Sequence, residues 1–124
     1  MSKPMTYLAC PYSHDDPAVR LHRFELANLA AGALIRRGHK VYSPVSHTHP
    51  IAVCCALPLR WEYWLEFQRA FLEHTGLVVV LKLDGWDRSA GVHGELEIAE
   101  ELLIPVIYRT MAELDKHGVL PIPD

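Results

Sequence analysis

The run Leu77-Val-Val-Val-Leu81 restricts the fold more than any other feature of the chain. It is apolar at every position, so it lacks the alternation of a strand with one wet face. It is also too short for a buried helix and rich in β-branched residues, which pack well in strands. A strand that is apolar on both faces must be covered on both faces. That arrangement belongs to parallel sheets, in which crossover helices pack above and below. The rest of the chain must therefore supply partner strands and two layers of helix.

It has the segments to do so. Thr6 to Cys10 is a short apolar run ended by Pro11 and reads as a strand. Asp16-Pro17 then starts a helix, with Asp as N-cap and Pro at the first helical position. Phe24, Ala27, Ala31, Leu34 and Ile35 recur at helical spacing, and Gly38 stops the helix after Arg36 and Arg37. Lys40 to Ser43 reads as a second strand. Pro44 to Pro58 contains three prolines and is expected to be irregular. Leu59 to His74 is expected as a helix with an inward stripe of Trp61, Trp64, Leu65, Phe71 and Leu72. Leu77 to Leu83 forms the buried strand and Asp84 to Ala90 a loop. Gly91 to Leu103 follows as a helix, Pro105 to Tyr108 as a last strand and Thr110 to His117 as a short final helix. Strands alternating with helices predict an α/β fold: a doubly wound, flavodoxin- or Rossmann-like parallel sheet of four to five strands flanked by helices. Such sheets bind ligands at the carboxyl ends of their strands, near the point where strand order reverses. The loops there are Pro11 to Asp16, Pro44 to Pro58 and Asp84 to Ala90.

Size and composition fit one domain over residues 1–124. Half of the 124 residues are apolar, enough for one core. Twelve Lys and Arg stand against fifteen Asp and Glu, a net charge of −3. That balance argues against a nucleic-acid polymer as partner, because such surfaces carry a basic excess. Three cysteines, two of them adjacent at Cys54 and Cys55, make neither a disulfide framework nor a metal knuckle. Reduced thiols and the lack of a signal-peptide pattern in Met1 to Met5 lead us to expect a cytoplasmic protein. No apolar run is long enough to span a membrane, so no membrane partner is expected.

Four glutamates lie between Gly91 and Leu103, and helical phase separates them. With Val92 at zero and about 100° per residue, Leu103, Leu96 and Ala99 fall within about 40° of it. Leu102 and Ile98 widen the apolar arc on one side. Glu95 falls inside this arc, while Glu97, Glu100 and Glu101 fall outside. An inward carboxylate near a helix start can be structural, because the helix dipole favours it. The capping box would require Ser or Thr at position 92, which is Val92, so that explanation fails. The functional alternative is a carboxylate facing a pocket. Gly94 costs about 1 kcal/mol in a helix interior, and its missing side chain would let a ligand approach. Ser89 and Gly91 precede the helix, where free N–H groups favour an anion such as phosphate.

Two stretches resemble a known family. Tyr7-Leu-Ala-Cys-Pro-Tyr-Ser13 resembles the opening strand and loop of nucleoside 2′-deoxyribosyltransferase-like proteins. Ser89-Ala-Gly-Val-His-Gly-Glu-Leu-Glu-Ile-Ala99 resembles their signature. The 2′-deoxynucleoside 5′-phosphate N-hydrolases have Ser and Glu at the same six-residue spacing. The resemblance covers Thr6 to about Tyr108. It implies that Glu95 attacks the sugar C1′ as the base leaves, with Tyr7 contacting the nucleophile. It also implies a 5′-phosphate on Ser89 and a small-molecule nucleotide or nucleoside as ligand, with no cofactor. Pro11, Tyr12, Ser13 and Gly91 fall in the matching loops and are expected at the substrate. The variant Asp84-Gly-Trp-Asp-Arg-Ser-Ala-Gly91 resembles a bacterial branch of the family. One departure matters. The family has an aspartate on the helix before the buried strand, and the matching position here is Gln68, an amide that cannot serve as a general acid.

Other residues have competing readings. Asp84 could bond a ribose hydroxyl or serve as a turn residue before Gly85. Trp86 could cover a base or meet a neighbouring subunit. His47 and His49 form an HxH pair, but no third ligand stands at fixed spacing, so no metal is expected. Ser46, His47 and His14 are expected at the substrate pocket. Arg20 and Arg23 could reach a phosphate but are expected as solvated charges. Tyr63 and Phe67 lie four apart, off the inward stripe, and point to a subunit contact in a homo-oligomer. The leading expectation is an N-glycosidase or deoxyribosyltransferase-like enzyme with Glu95 as nucleophile. The alternatives are a non-catalytic nucleotide-binding module, favoured by Gln68, and a metal-dependent hydrolase using His47 and His49.

Overall fold

The computed structural model describes residues 3–115. Four strands form one all-parallel sheet in the order β2-β1-β3-β4, with β1 at Met5–Ala9, β2 at Lys40–Tyr42, β3 at Thr75–Leu81 and β4 at Val106–Arg109. Tyr7 pairs with Tyr42 on one side and Val78 on the other, and Val80 pairs with Tyr108. The apolar run is buried as its sequence requires. Val79 and Leu81 face one core with Leu8, Cys10 and helices α1 (Pro17–Arg36) and α5 (Met111–Leu114). Val78 and Val80 face a second core with Tyr7, Ala9 and helices α3 (Trp61–Leu72) and α4 (Ala90–Glu101). This is the expected doubly wound α/β fold, with four strands. No helix among the described residues is long and apolar enough to cross a membrane.

Local signals set most of the boundaries. The Asp16 side chain accepts from the Ala18 N–H at 2.9 Å, and Pro17 opens α1. Gly38, with φ of 92°, follows the helix end. Thr110 and Glu113 form a capping box on α5, whose expected extension through His117 falls partly outside the described residues. β3 begins at Thr75 rather than Leu77, because Thr75 and Leu77 pair with Met5 and Thr6 of β1.

Three expectations need correction. Pro44 to Cys55 is not irregular but a helix, α2, with Pro44 at its start and Pro50 inside it. Pro44 sits where a missing N–H costs nothing, and Pro50 lies on the exposed side, so one lost backbone bond is tolerated. Leu103 is not on the inward arc of α4. It follows the helix with φ of 58° and is 88 % exposed. Ile35 closes α1 on the outer face, while Leu26, Ala30 and Ala33 complete the buried stripe.

α3 and α4 pack through a close approach rather than through large side chains on both. The indole of Trp61 lies over Gly91 and Gly94, and a Cβ built on Gly94 would overlap it. Gly94 therefore makes room for Trp61, not for a ligand. Gly94→Ala gains helix propensity of about 1 kcal/mol but must displace the indole, an overpacking that costs about 1–3 kcal/mol. Urea denaturation is expected to show net destabilisation. Gly32→Ala meets nothing within 4 Å and is expected to stabilise α1 by about 0.5–1 kcal/mol in the same assay.

Candidate active site

The chain runs from β1 to β2 on one side, then crosses to place β3 on the other side of β1. Strand order thus reverses between β1 and β3, where the carboxyl ends of neighbouring strands diverge and leave a crevice. A cleft opens there. Tyr12 and Ser13 reach it from the loop after β1, Pro44 and Val45 from the start of α2, and Ser89 and Gly91 from the start of α4. Trp61, Trp64 and Gln68 line it from α3, and Glu95 from the second turn of α4. Arg23 of α1 fixes the two loops at the reversal. Its guanidinium donates to the Ser13 carbonyl at 3.0 Å and to the Asp84 carbonyl at 3.1 Å. It is a structural staple rather than the solvated charge expected from sequence.

Glu95 is 5 % exposed. The Tyr7 hydroxyl, from the centre of the sheet, donates to its Oε2. No group among the described residues donates to Oε1, and no buried side-chain oxygen or nitrogen lacks a partner, so Oε1 opens to the cleft. Burial pushes the Glu95 carboxyl from an ordinary value of 4.5 up to about 8, and the Tyr7 hydrogen bond opposes only part of that rise. Burial also raises the Tyr7 hydroxyl far above its usual range, and the neighbouring carboxylate raises it further. Tyr7 therefore remains a protonated donor throughout the range in which Glu95 titrates. The Cys10 thiol lines the same cleft and is raised by burial and by Glu95, so it stays neutral.

A second hydrogen-bonded pair lies beside the first. The Tyr42 hydroxyl of β2 donates to Gln68 Oε1 at 3.0 Å, and the Tyr42 ring stands edge-on to Tyr7 at 5.6 Å. Gln68 is 4 % exposed. Its place on the inward side of α3 follows from its spacing between Leu65 and Leu72.

The other sequence candidates divide. Tyr12, Ser13, Ser89 and Gly91 line the cleft with Glu95 and Gln68. The Ser89 oxygen accepts from the Val92 N–H at 3.2 Å as the α4 N-cap, and its proton remains available. Pro11 is fully buried just beyond β1 and shapes the turn that delivers Tyr12. His47, Asp84 and Trp86 are not among the lining residues. His47 is exposed and stacks on Phe67, Asp84 is exposed at the turn, and Trp86 packs against Tyr108. Ser46 bonds Ser43 instead of reaching the cleft, and His14 receives the Asp16 N–H. His49 takes the Tyr12 hydroxyl on Nδ1 and stacks on Phe24. Burial lowers its pKa, with Arg20 adding to the effect, which favours the neutral acceptor form. His47 and His49 therefore serve different neighbours.

Sequence reasoning missed Cys10, Pro44, Val45, Thr48, Ala52, Leu59, Trp61 and Trp64 as individual lining residues. Val45, Thr48 and Ala52 follow Ser43-Pro44 at helical spacing, a signal that the three prolines obscured.

The fold and the cleft define an α/β protein with a buried carboxyl group at the switch point of a parallel sheet. Residues 4–113 match the family described as Domain of unknown function (DUF1937), and the chain belongs to that family. Comparison with the curated proteins gave no match.

The Glu95 shift has a stability consequence with a definite sign. A carboxyl whose pKa is higher in the folded chain stabilises the fold fully below pH 4.5. That contribution is lost as pH rises through about 8. Glu95→Gln keeps an acceptor for Tyr7 and removes the titration. The variant is expected to melt at a higher temperature than the wild type at pH 8.5, with the difference shrinking toward pH 5.

Proposed function

We propose that this protein is an N-glycosidase or deoxyribosyltransferase-like enzyme acting on a nucleoside or nucleotide, with Glu95 as nucleophile. The observation that carries this proposal is a buried carboxyl with one oxygen held by Tyr7 and the other open to a cleft. The resemblance of Tyr7 to Ser13 and Ser89 to Ala99 to the nucleoside 2′-deoxyribosyltransferase-like proteins supports it. In the first step, a Glu95 carboxylate oxygen bonds to C1′ as the C1′–N bond breaks, and the electron pair leaves with the base nitrogen. Water or a second nucleoside then takes the glycosyl group and releases Glu95. Tyr7 holds the carboxylate at a fixed angle. Gln68 can hydrogen-bond the departing base but cannot protonate it, so the base takes its proton from solvent.

Attack needs the ionised carboxylate. The rate of base release is therefore expected to rise with pH and level off above about 8, where Glu95 is ionised. A panel of deoxynucleosides and their monophosphates, followed by chromatography of free base, is the direct test. Glu95→Gln is expected to lower release by at least about a thousandfold, and equal release by wild type and variant would overturn the proposal.

One observation favours a second role, a non-catalytic nucleotide-binding module: the position suited to a general acid carries the amide of Gln68. Tight ligand binding without any base release would select it. Tyr63 and Phe67, 45 % and 39 % exposed on α3, fit a contact between subunits of a homo-oligomer. Gel filtration at micromolar concentration is expected to give a dimer or larger species.

A further inference from the structure

Gln68 is buried, yet it makes only one hydrogen bond. Its Oε1 accepts from Tyr42 at 3.0 Å, and no group among the described residues accepts from its Nε2. Among the described residues no buried side-chain nitrogen lacks a partner, so Nε2 is not sealed off and opens onto the cleft that Gln68 lines. Turning the amide over would leave the Tyr42 proton without an acceptor. Tyr42 cannot easily swing away, because its ring is stacked on Phe71 at 3.9 Å and 9°. The amide is thus held in one orientation and offers the cleft N–H donors only.

The walls favour a flat, uncharged occupant. Trp61 is held over Gly91 and Gly94, and Trp64 is fixed by donating from Nε1 to the Pro58 carbonyl at 2.8 Å. Among the described lining residues none is Lys or Arg.

We propose that Tyr42 and Gln68 together form a specificity device that selects a carbonyl-bearing base over its amino counterpart. The inference rests on the glycosidase proposal for taking the flat occupant to be a nucleobase. A carbonyl oxygen accepts from Gln68 Nε2. An amino group in the same place sets donor against donor and leaves neither with that hydrogen bond. Tyr42 is a positioning residue here, acting through Gln68.

The test is equilibrium binding by calorimetry of the full chain with the free bases hypoxanthine, adenine and unsubstituted purine. Free bases have no glycosidic bond, so turnover does not interfere. Hypoxanthine is expected to bind about tenfold more tightly than adenine, with purine between them. Tyr42→Phe keeps the ring that stacks on Phe71 but frees the amide to turn, and it is expected to bring the ratio to within about twofold. Equal affinities in the wild type, a preference for adenine, an unchanged ratio in Tyr42→Phe, or no binding of any base at millimolar concentration would each overturn the proposal. Base release from nucleosides without this preference would remove the inference and leave the glycosidase proposal standing. Selective base binding without turnover would do the reverse.

Discussion

The hydrogen bond from Tyr7 to Glu95 joins the middle of the sheet to a helix 88 residues further along the chain, and much of the architecture serves to keep it dry. Tyr7 lies on β1, which is flanked by β2 and β3 and has no edge. Its face of the sheet is covered by α3 and α4, and those two helices approach closely because Gly94 leaves space for Trp61. A side chain at Gly94 would push α3 outward and admit water beside the carboxyl. The tight helix packing and the raised Glu95 pKa are therefore two results of one geometry.

The fold was legible in the sequence because its strongest signal and its physical requirement coincide. Five consecutive apolar residues can be buried only when both faces are covered, and the sheet places α1 and α5 on one face and α3 and α4 on the other. Glu95 was legible for a similar reason: helical phase is a local property, and α4 is regular over that stretch. Gln68 followed in the same way from the stripe of α3. What was not legible depended on contacts between elements. Gly94 looked like space for a ligand because its neighbour on α3 cannot be known from α4 alone. Arg23 looked like a surface charge because the two carbonyls that it binds are brought together only by the reversal of strand order.

The α2 segment shows a different kind of limit. Three prolines and two histidines gave Pro44 to Pro58 the composition of a loop, yet the buried positions Val45 and Ala52 of α2 keep a helical interval. Tertiary contacts with α1, including His49 stacked on Phe24, outweigh the weak local propensity. His47, expected in the pocket, turns outward on the same helix, and Thr48 takes the inward position. Treating the segment as irregular left the direction of every side chain in it undetermined.

A buried carboxyl that is neutral at rest has a particular use if the glycosidase proposal holds. Burial disfavours its ionised form, and no Lys or Arg among the described lining residues offsets that cost. An oxocarbenium-like centre developing at C1′ would supply the missing positive charge at the open Oε1. Attraction between the two charges is strong where water is excluded and exists only as the glycosidic bond breaks. The carboxylate then stabilises the transition state more than it stabilises bound substrate, which is the condition for raising the rate rather than only the affinity. A cationic partner for Glu95 in the resting protein would lower its pKa and stabilise the fold, but would also neutralise the charge that the reaction uses.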